Sequence, residues 1–93
     1  MKVIVKFYAT LRDLTGKKEP IEVQLEEGAT ISQLLDELYL DSGIKEAMMA
    51  EDQKVKPNIT ILKNGREIRF LDGNETELNS GDEISIFPLV AGG

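Results

Sequence analysis

Alternating apolar and polar residues at the start of the chain predict two β-strands. The first strand covers residues 2–8, and the second begins at Ile21, after residues 11–20 have broken the alternation. We expect the two strands to form a simple hairpin. The side chains of inward parity are Val3, Val5 and Phe7 in the first strand and Ile21, Val23 and Leu25 in the second.

A periodic apolar run then predicts the main helix. Thr30 and Gln33 have the spacing of a capping box, in which two side chains satisfy free N–H groups at a helix start. The apolar residues that follow at helical spacing form one stripe for packing on a sheet: Ile31, Leu34, Leu35 and Leu38. A short second helix is predicted over residues 44–50, with Ile44, Ala47 and Met48 inward.

Three further strands are predicted in the second half of the chain. Asn64-Gly65 is typical of a two-residue hairpin turn with positive φ at both positions. With Lys63 opposite Arg66, we expect Ile61 to lie opposite Ile68. The last strand, residues 83–88, has Ile84 and Ile86 inward and Ser85 and Phe87 outward. The order β-β-α-β-β-β indicates an α+β domain with one main helix on a mixed sheet of four to five strands.

Length and composition exclude several classes of function. The 93 residues suffice for one compact domain, and 41% apolar residues support a buried core. A net charge of −6 disfavours binding to nucleic acid or to anionic membranes. Because the chain has no Cys and no His, we expect no thiolate or Ser-His catalysis and none of the usual zinc sites. We also expect no other metal and no bound cofactor. Charges interrupt the first apolar residues before a signal peptide or a membrane segment could form, so we expect a cytoplasmic protein. We also expect the protein to be monomeric when free.

The last residues carry the most informative pattern. We predict a folded domain over residues 1–88 and a flexible tail consisting of Leu89, Val90, Ala91, Gly92 and Gly93. The six residues from Pro88 extend at most about 20 Å, enough to carry a carboxylate into another protein's active site. Glycine has no Cβ and passes constrictions that a side chain would block. Such a carboxylate can attack the α-phosphate of ATP, but the chain lacks a Gly-rich phosphate loop, so another protein must activate it.

Short motifs along the whole chain resemble the β-grasp sulfur carriers and modifiers of the MoaD/ThiS group, within the ubiquitin-like superfamily. The resemblance is closest to archaeal-type MoaD proteins and to small archaeal modifier proteins. Residues 44–57 look longer than in compact members, which leaves the choice of partner open. The motifs lie at residues 5–16, 30–35, 64–66, 71–73 and 81–84, and at Phe87-Pro88-Leu89-Val90-Ala91-Gly92-Gly93.

The resemblance implies a carrier that is not itself an enzyme. In the family, an E1-like adenylyltransferase uses ATP to adenylate the terminal glycine, Gly93 here, and the carboxylate becomes a thiocarboxylate that carries sulfur. In molybdenum cofactor synthesis, the carrier inserts its tail into the large subunit of molybdopterin synthase and donates sulfur to precursor Z. Relatives deliver sulfur for thiamine thiazole or for tRNA.

Two alternatives to sulfur carriage stay open. A ubiquitin-like modifier shares every chemical step up to the activated tail and differs in its acceptor, the amine of a lysine. A β-grasp interaction module would have the same fold and an inert tail.

A partner-docking face is predicted on the outward side of the sheet. Apolar or aromatic residues occupy outward positions where polar residues are typical: Ile4, Tyr8, Leu62 and Phe87. The resemblance implies that the positions of Tyr8 and Phe87 contact the large synthase subunit or the activating enzyme. Scattered apolar residues are also normal on monomer surfaces. Arg12 and Arg66 are candidates for pairing with acidic groups of a partner, although exposed basic residues commonly form only solvated pairs.

Overall fold

The computed structural model describes residues 1–89, which form a five-stranded sheet and three helices. The strands are β1 (Lys2–Phe7), β2 (Ile21–Gln24), β3 (Ile59–Lys63), β4 (Arg66–Glu67) and β5 (Glu83–Pro88). The helices are α1 (Ala9–Thr15), α2 (Ile31–Leu38) and α3 (Ser42–Met48). Two 3₁₀ turns follow β4, at Ile68–Phe70 and Gly73–Glu75.

The first and last strands lie side by side at the centre of the sheet, whose order is β2-β1-β5-β3-β4. β1 and β5 are parallel, with Phe7 opposite Ile86, and the other neighbours are antiparallel. A parallel pair needs a long connection, and the chain from β2 to β4 supplies it. The α+β architecture with a mixed sheet, predicted from the sequence, is confirmed.

One hydrophobic core lies between the sheet and the helices. All four residues of the predicted apolar stripe on α2 are buried and share this core with the inward residues of β1 and β5. The predicted capping box is present, because Thr30 N–H donates to Gln33 Oε1 at 2.8 Å and Gln33 N–H donates to Thr30 Oγ1 at 3.4 Å. A fully buried Leu or Ile side chain contributes about 1.5–3 kcal/mol, so the stripe fixes α2 on the sheet.

The simple hairpin predicted between β1 and β2 is wrong, because α1 lies in their connection. β1 and β2 still pair antiparallel, with Val3 opposite Val23. In α1, only Leu11 and Thr15 are buried, so its apolar pattern is too short to reveal a helical period. The helix ends at Gly16, whose φ of +74° is a left-handed conformation that glycine adopts without strain.

The predicted turn at Asn64-Gly65 is confirmed, with φ values of +49° and +84°. Lys63 lies opposite Arg66 as expected, but the ladder ends after one more pair. Ile68 begins a 3₁₀ turn and lies outside the strand, so its predicted pairing with Ile61 is wrong. Both isoleucines are nevertheless buried. Ile61 reaches the core from β3, and Ile68 reaches it from the 3₁₀ turn.

The predicted second helix is confirmed as α3, with all three of its expected inward residues buried. It begins earlier than predicted, because Asp41 caps its first turn. One Asp41 carboxylate oxygen accepts hydrogen bonds from the N–H groups of Gly43 at 2.9 Å and Ile44 at 3.2 Å. This cap stabilises the start of the helix by about 0.5–2 kcal/mol.

Candidate docking face and carboxyl-terminal strand

β5 leads the chain into the predicted tail at one end of the sheet. Beyond Pro88, the N–H of Leu89 donates to the carbonyl oxygen of Asn58 at 2.6 Å. The hydrogen bonding of the sheet therefore continues for one residue into the segment predicted as a tail, while the Leu89 side chain is exposed. Val90, Ala91, Gly92 and Gly93 lie outside the described residues, so the flexible tail over residues 89–93 stays a prediction.

Tyr8 and Phe87 form an aromatic pair on the outward side of the sheet, beside the end of β5. Their ring centroids are 5.9 Å apart, and the rings meet edge to face at 87°. The backbone fixes this neighbourhood, because Tyr8 N–H donates to the carbonyl oxygen of Ile86 at 3.0 Å. The Lys6 ammonium lies 5.0 Å from the centroid of the Tyr8 ring, a cation–π distance. Tyr8 is 37% exposed and Phe87 is half-buried, so the pair is open to a partner.

Thr60 joins this site although the sequence did not single it out. It lies directly opposite Phe87 in the β3–β5 ladder and is 6% exposed. No group in residues 1–89 forms a hydrogen bond with its hydroxyl, which is itself buried. Its outward parity in a strand of inward isoleucines is visible in the sequence, whereas its burial opposite Phe87 is not.

Leu62 and Ile4 are spread over the outward face, whereas the sequence predicted that all four apolar residues converge. Leu62 lies opposite Ser85, diagonal to Phe87 and within reach of its ring. Ile4 lies opposite Glu83 and is about 13 Å from Tyr8 along the strand. The structure therefore places Leu62 beside the aromatic pair and Ile4 towards the other end of the sheet.

Arg12 and Arg66 lie at opposite ends of the sheet. Arg12 is exposed on α1, one helical turn after Tyr8, at the end where β5 finishes. Arg66 is exposed in the β3–β4 hairpin, beside Lys63, which pairs with Ile84 near the start of β5. Neither arginine forms an ion pair within residues 1–89. A single partner surface centred on Tyr8 reaches Arg12 more readily than Arg66.

The end of the sheet near Arg66 is closed by a polar network. Asn64 Nδ2 donates to Asp82 Oδ1 at 2.9 Å, and Asn64 Oδ1 accepts from the N–H of Glu83 at 2.8 Å. Asp82 Oδ2 accepts from the N–H of Asn79 at 2.8 Å and lies 3.8 Å from the Lys63 ammonium. Asp82 is buried, and each of its carboxylate oxygens has a partner.

Two side chains with shifted pKa lie outside the docking face, on the helical side of the molecule. Burial raises the pKa of Tyr39, and the Asp36 carboxylate acts in the same direction. A hydrogen bond from Lys17 lowers the pKa of Asp41, and the N–H groups at the start of α3 add to this effect. Neither side chain belongs to the strand that leads to the predicted tail.

A metal site and a membrane span are both absent from the described part of the chain. Residues 1–89 bring together no group of three or more carboxylates that could hold a metal ion. None of their helices combines the length and the apolar character needed to cross a bilayer.

Known proteins resemble this chain in sequence over its full length. The model of the ThiS family matches residues 5–93. Small archaeal modifier protein 3 of Haloferax volcanii is 40% identical over 93 residues, which cover both chains completely. Sulfur carrier protein CysO of Mycobacterium tuberculosis is 31% identical over 96 residues, again covering both chains completely.

Solved structures confirm the β-grasp fold. The crystal structure of SAMP1 from Haloferax volcanii superposes with a TM-score of 0.85 at 23% identity and covers both chains fully. One chain of the BexX/CysO complex of Amycolatopsis orientalis gives a TM-score of 0.76 at 34% identity, and the match covers 98% of this chain and 99% of that one. One chain of the complex of subunits 1 and 2 of molybdopterin-converting factor from Helicobacter pylori gives a TM-score of 0.68 at 26% identity. The match covers this chain and that one completely. The chain therefore belongs to the ThiS family of ubiquitin-like β-grasp proteins, whose members resembling it are sulfur carriers and protein modifiers.

Proposed function

We propose that this protein is a sulfur carrier whose carboxylate at Gly93 is activated by a separate E1-like adenylyltransferase. A carboxylate oxygen attacks the α-phosphate of ATP and releases pyrophosphate, which leaves an acyl-adenylate. Hydrosulfide then attacks the carbonyl carbon of the acyl-adenylate, the bond from that carbon to the AMP oxygen breaks, AMP leaves, and the product is a thiocarboxylate. Adenylation requires ATP, so the proposal places the protein in the cytoplasm.

One observation carries this proposal: the strand that leads to the predicted tail bears Phe87, a half-buried aromatic side chain that meets the partly exposed Tyr8 ring. Phe87 lies one residue before the last pair of β5, Pro88 with Ile59, and the hydrogen bonding of the sheet ends at Leu89, two residues after Phe87. A partner that binds the Tyr8–Phe87 pair is therefore positioned to receive residues 90–93. Exposed aromatic residues supply much of the affinity in protein interfaces.

In the proposed docking, the other candidate residues contribute according to how near they lie to the Tyr8–Phe87 pair. Leu62 extends the apolar surface beside Phe87, and Arg12 offers a positive charge at the same end. Ile4 and Arg66 lie towards the other end and would contact only a partner that covers the whole sheet. The sulfur donor, ATP and the catalytic groups all belong to partners in this scheme.

We propose that the sulfur is transferred in the active site of the large subunit of molybdopterin synthase. The Helicobacter pylori complex supports this choice, because one of its two chains matches this protein over its full length. The acceptor in that scheme is a precursor of molybdopterin, and the large subunit provides the active site.

A second candidate function, conjugation to protein lysines, has a specific observation in its favour. The 40% identity to small archaeal modifier protein 3 covers both chains completely. The activated tail is the same in both functions, and only the acceptor differs. Gly-Gly remnants of this chain on lysines of other proteins would favour the modifier.

An ATP–pyrophosphate exchange assay with the E1-like enzyme of the same cells tests the activation step. We expect exchange with the full chain and none with Gly92→Val, because a branched side chain next to the terminus blocks access to the adenylation site. Circular dichroism should show that both proteins are equally folded, since Gly92 follows the last strand. Exchange by Gly92→Val at the rate of the full chain contradicts the proposed activation.

A further inference from the structure

β2 is an edge strand whose outer side carries unpaired backbone groups. Leu25 N–H donates to the Met1 carbonyl at 2.9 Å, and the Met1 amino group donates to the Leu25 carbonyl at 2.7 Å. Bonding residues alternate along an antiparallel pair, so the odd-numbered residues of β2 bond to β1. The N–H and C=O groups of Glu22 and Gln24 therefore point outward, and within residues 1–89 no strand pairs with them.

A groove of about 260 Å³ runs along this free edge. It lies between β2, the end of α2 and the start of α3. Its apolar lining comes from Ile21, which is half-buried, and from Val23, Leu38 and Ile44, which are core residues that form its floor. A chain added beside β2 would direct every second side chain towards these residues, because side chains alternate along a strand. The edge supplies hydrogen bonds and the groove supplies apolar contacts to the same ligand.

The rim of the groove is mainly acidic. Glu22, Glu37 and Asp41 border it, against one basic residue, Lys17. The Lys17 ammonium is already 3.0 Å from the Asp41 carboxylate, and the Lys2 ammonium is 3.4 Å from the Glu22 carboxylate. Glu37 forms no ion pair with any described residue, and the whole chain carries a net charge of −6.

This charge decides between the possible occupants. A second copy of the chain would bring the same acids to the pairing, and like charges that face each other across strands are destabilising. A segment with Lys or Arg at its flanks is attracted to the rim instead.

We propose that the edge of β2 and its groove bind an extended segment of another protein, with apolar residues at its centre and basic residues at its flanks. The segment joins the sheet as an additional strand beside β2. Backbone hydrogen bonds to Glu22 and Gln24 provide affinity, and side chains in the groove provide selectivity. This surface shares no residue with the Tyr8–Phe87 docking face, so it extends the proposed function and does not depend on the tail.

The test uses the full chain labelled with nitrogen-15 and a synthetic peptide of alternating valine and isoleucine with lysines at both ends. We expect the peptide to shift the amide signals of Glu22 and Gln24 and to slow their hydrogen exchange. A peptide with glutamates in place of the lysines should bind at least about tenfold more weakly. Equal binding of the two peptides, or shifts confined to the Tyr8–Phe87 pair, overturns the proposal.

A matched pair of variants tests the backbone contact. Gln24→Pro removes an outward N–H at a position where edge strands tolerate proline, and Gln24→Ala keeps that N–H. We expect the proline variant to bind the basic peptide about five- to tenfold more weakly than the alanine variant. Equal affinities overturn the proposal.

A substitution at an exposed residue of α2, Glu37, tests the proposal even if the proline variant does not fold. Glu37→Lys should weaken binding of the basic peptide and strengthen binding of the acidic one, and unchanged affinities for both contradict the proposal. Concentration-dependent shifts at Glu22 and Gln24 without peptide would reveal pairing between copies and also overturn it. None of these measurements reads the chemistry of Gly93, so they are independent of the sulfur-carrier test.

Discussion

Where β5 begins, the buried Asp82 carboxylate is fully hydrogen-bonded, and where it ends, an aromatic pair is partly exposed. At the first end, the Asp82 carboxylate accepts hydrogen bonds from Asn64 and Asn79. At the second end, Tyr8 and Phe87 meet edge to face, and the buried Thr60 hydroxyl has no partner among the described residues. A satisfied network stabilises a fold, while exposed aromatic residues offer contacts that the isolated domain does not use. The first end therefore stabilises the fold, and the second end is the one that we propose for recognition.

The largest expected effect is on binding at the aromatic end. Phe87→Glu should weaken binding to the activating enzyme by at least about 30-fold, because a central aromatic contact contributes about 2 kcal/mol or more. Isothermal titration measures the affinity. The control is Phe70→Glu, the same change at a phenylalanine that is 83% exposed in the 3₁₀ turn after β4. Equal loss in both variants would contradict a docking role specific to Phe87.

The next effect is on stability at the polar end. Asp82→Ala should lower the free energy of unfolding by about 2–3 kcal/mol, because Asn64 Nδ2 and the Asn79 N–H lose their acceptor in a buried site. Urea denaturation measures the change, and Asp82→Asn, which keeps one acceptor oxygen, should lose less. Binding to the activating enzyme should be unaffected. An Asp82→Ala variant as stable as the parent chain would remove the contrast between the two ends.

A smaller effect of opposite sign is expected at Thr60. Thr60→Val replaces a buried, unpaired hydroxyl by a methyl group of similar size, so the free energy of unfolding should stay equal or rise by about 1 kcal/mol. Thr60→Ser, which keeps the hydroxyl and loses the methyl group, is the control. Denaturant unfolding that shows a marked loss of stability in Thr60→Val would mean that the hydroxyl is already satisfied.

The smallest effect concerns Asp41, which lies away from both ends. Its pKa is lowered in the folded protein by Lys17, so its stabilising contribution is present above the unfolded pKa of about 3.9 and is lost as pH falls through the folded pKa. Thermal melts should show a slight decrease in Tm as the pH falls from about 3.9 through the folded pKa. Asp41→Asn should flatten this part of the profile, and a profile identical to that of the parent chain would exclude the contribution.

Local patterns were sufficient to predict the elements that make their own hydrogen bonds. Thr30 and Gln33 satisfy each other at the start of α2, and Asn64-Gly65 adopts the positive φ values that its turn requires. α1 was missed because seven residues with two buried positions show no period. The early start of α3 was missed because its signal is a single side chain, Asp41.

The arrangement of the docking face depends on contacts between distant strands. Outward parity identified its four apolar residues, but parity does not reveal which strands are neighbours. The parallel pairing of β1 with β5 brings Tyr8 to Phe87 and places Ile4 opposite Glu83, four residues before Phe87. Thr60 was not identified because its burial depends on Phe87, 27 positions later in the sequence and opposite it in the sheet.

The most direct test of the sulfur-carrier proposal is the intact mass of the protein purified from its own cells under mild reducing conditions. We predict a fraction whose mass exceeds the sequence value by the exchange of one oxygen for one sulfur, located at Gly93 by fragmentation. Gly92→Val from the same cells should lack that fraction. A terminus that carries only oxygen, in cells where the activating enzyme is present and active, would contradict the account.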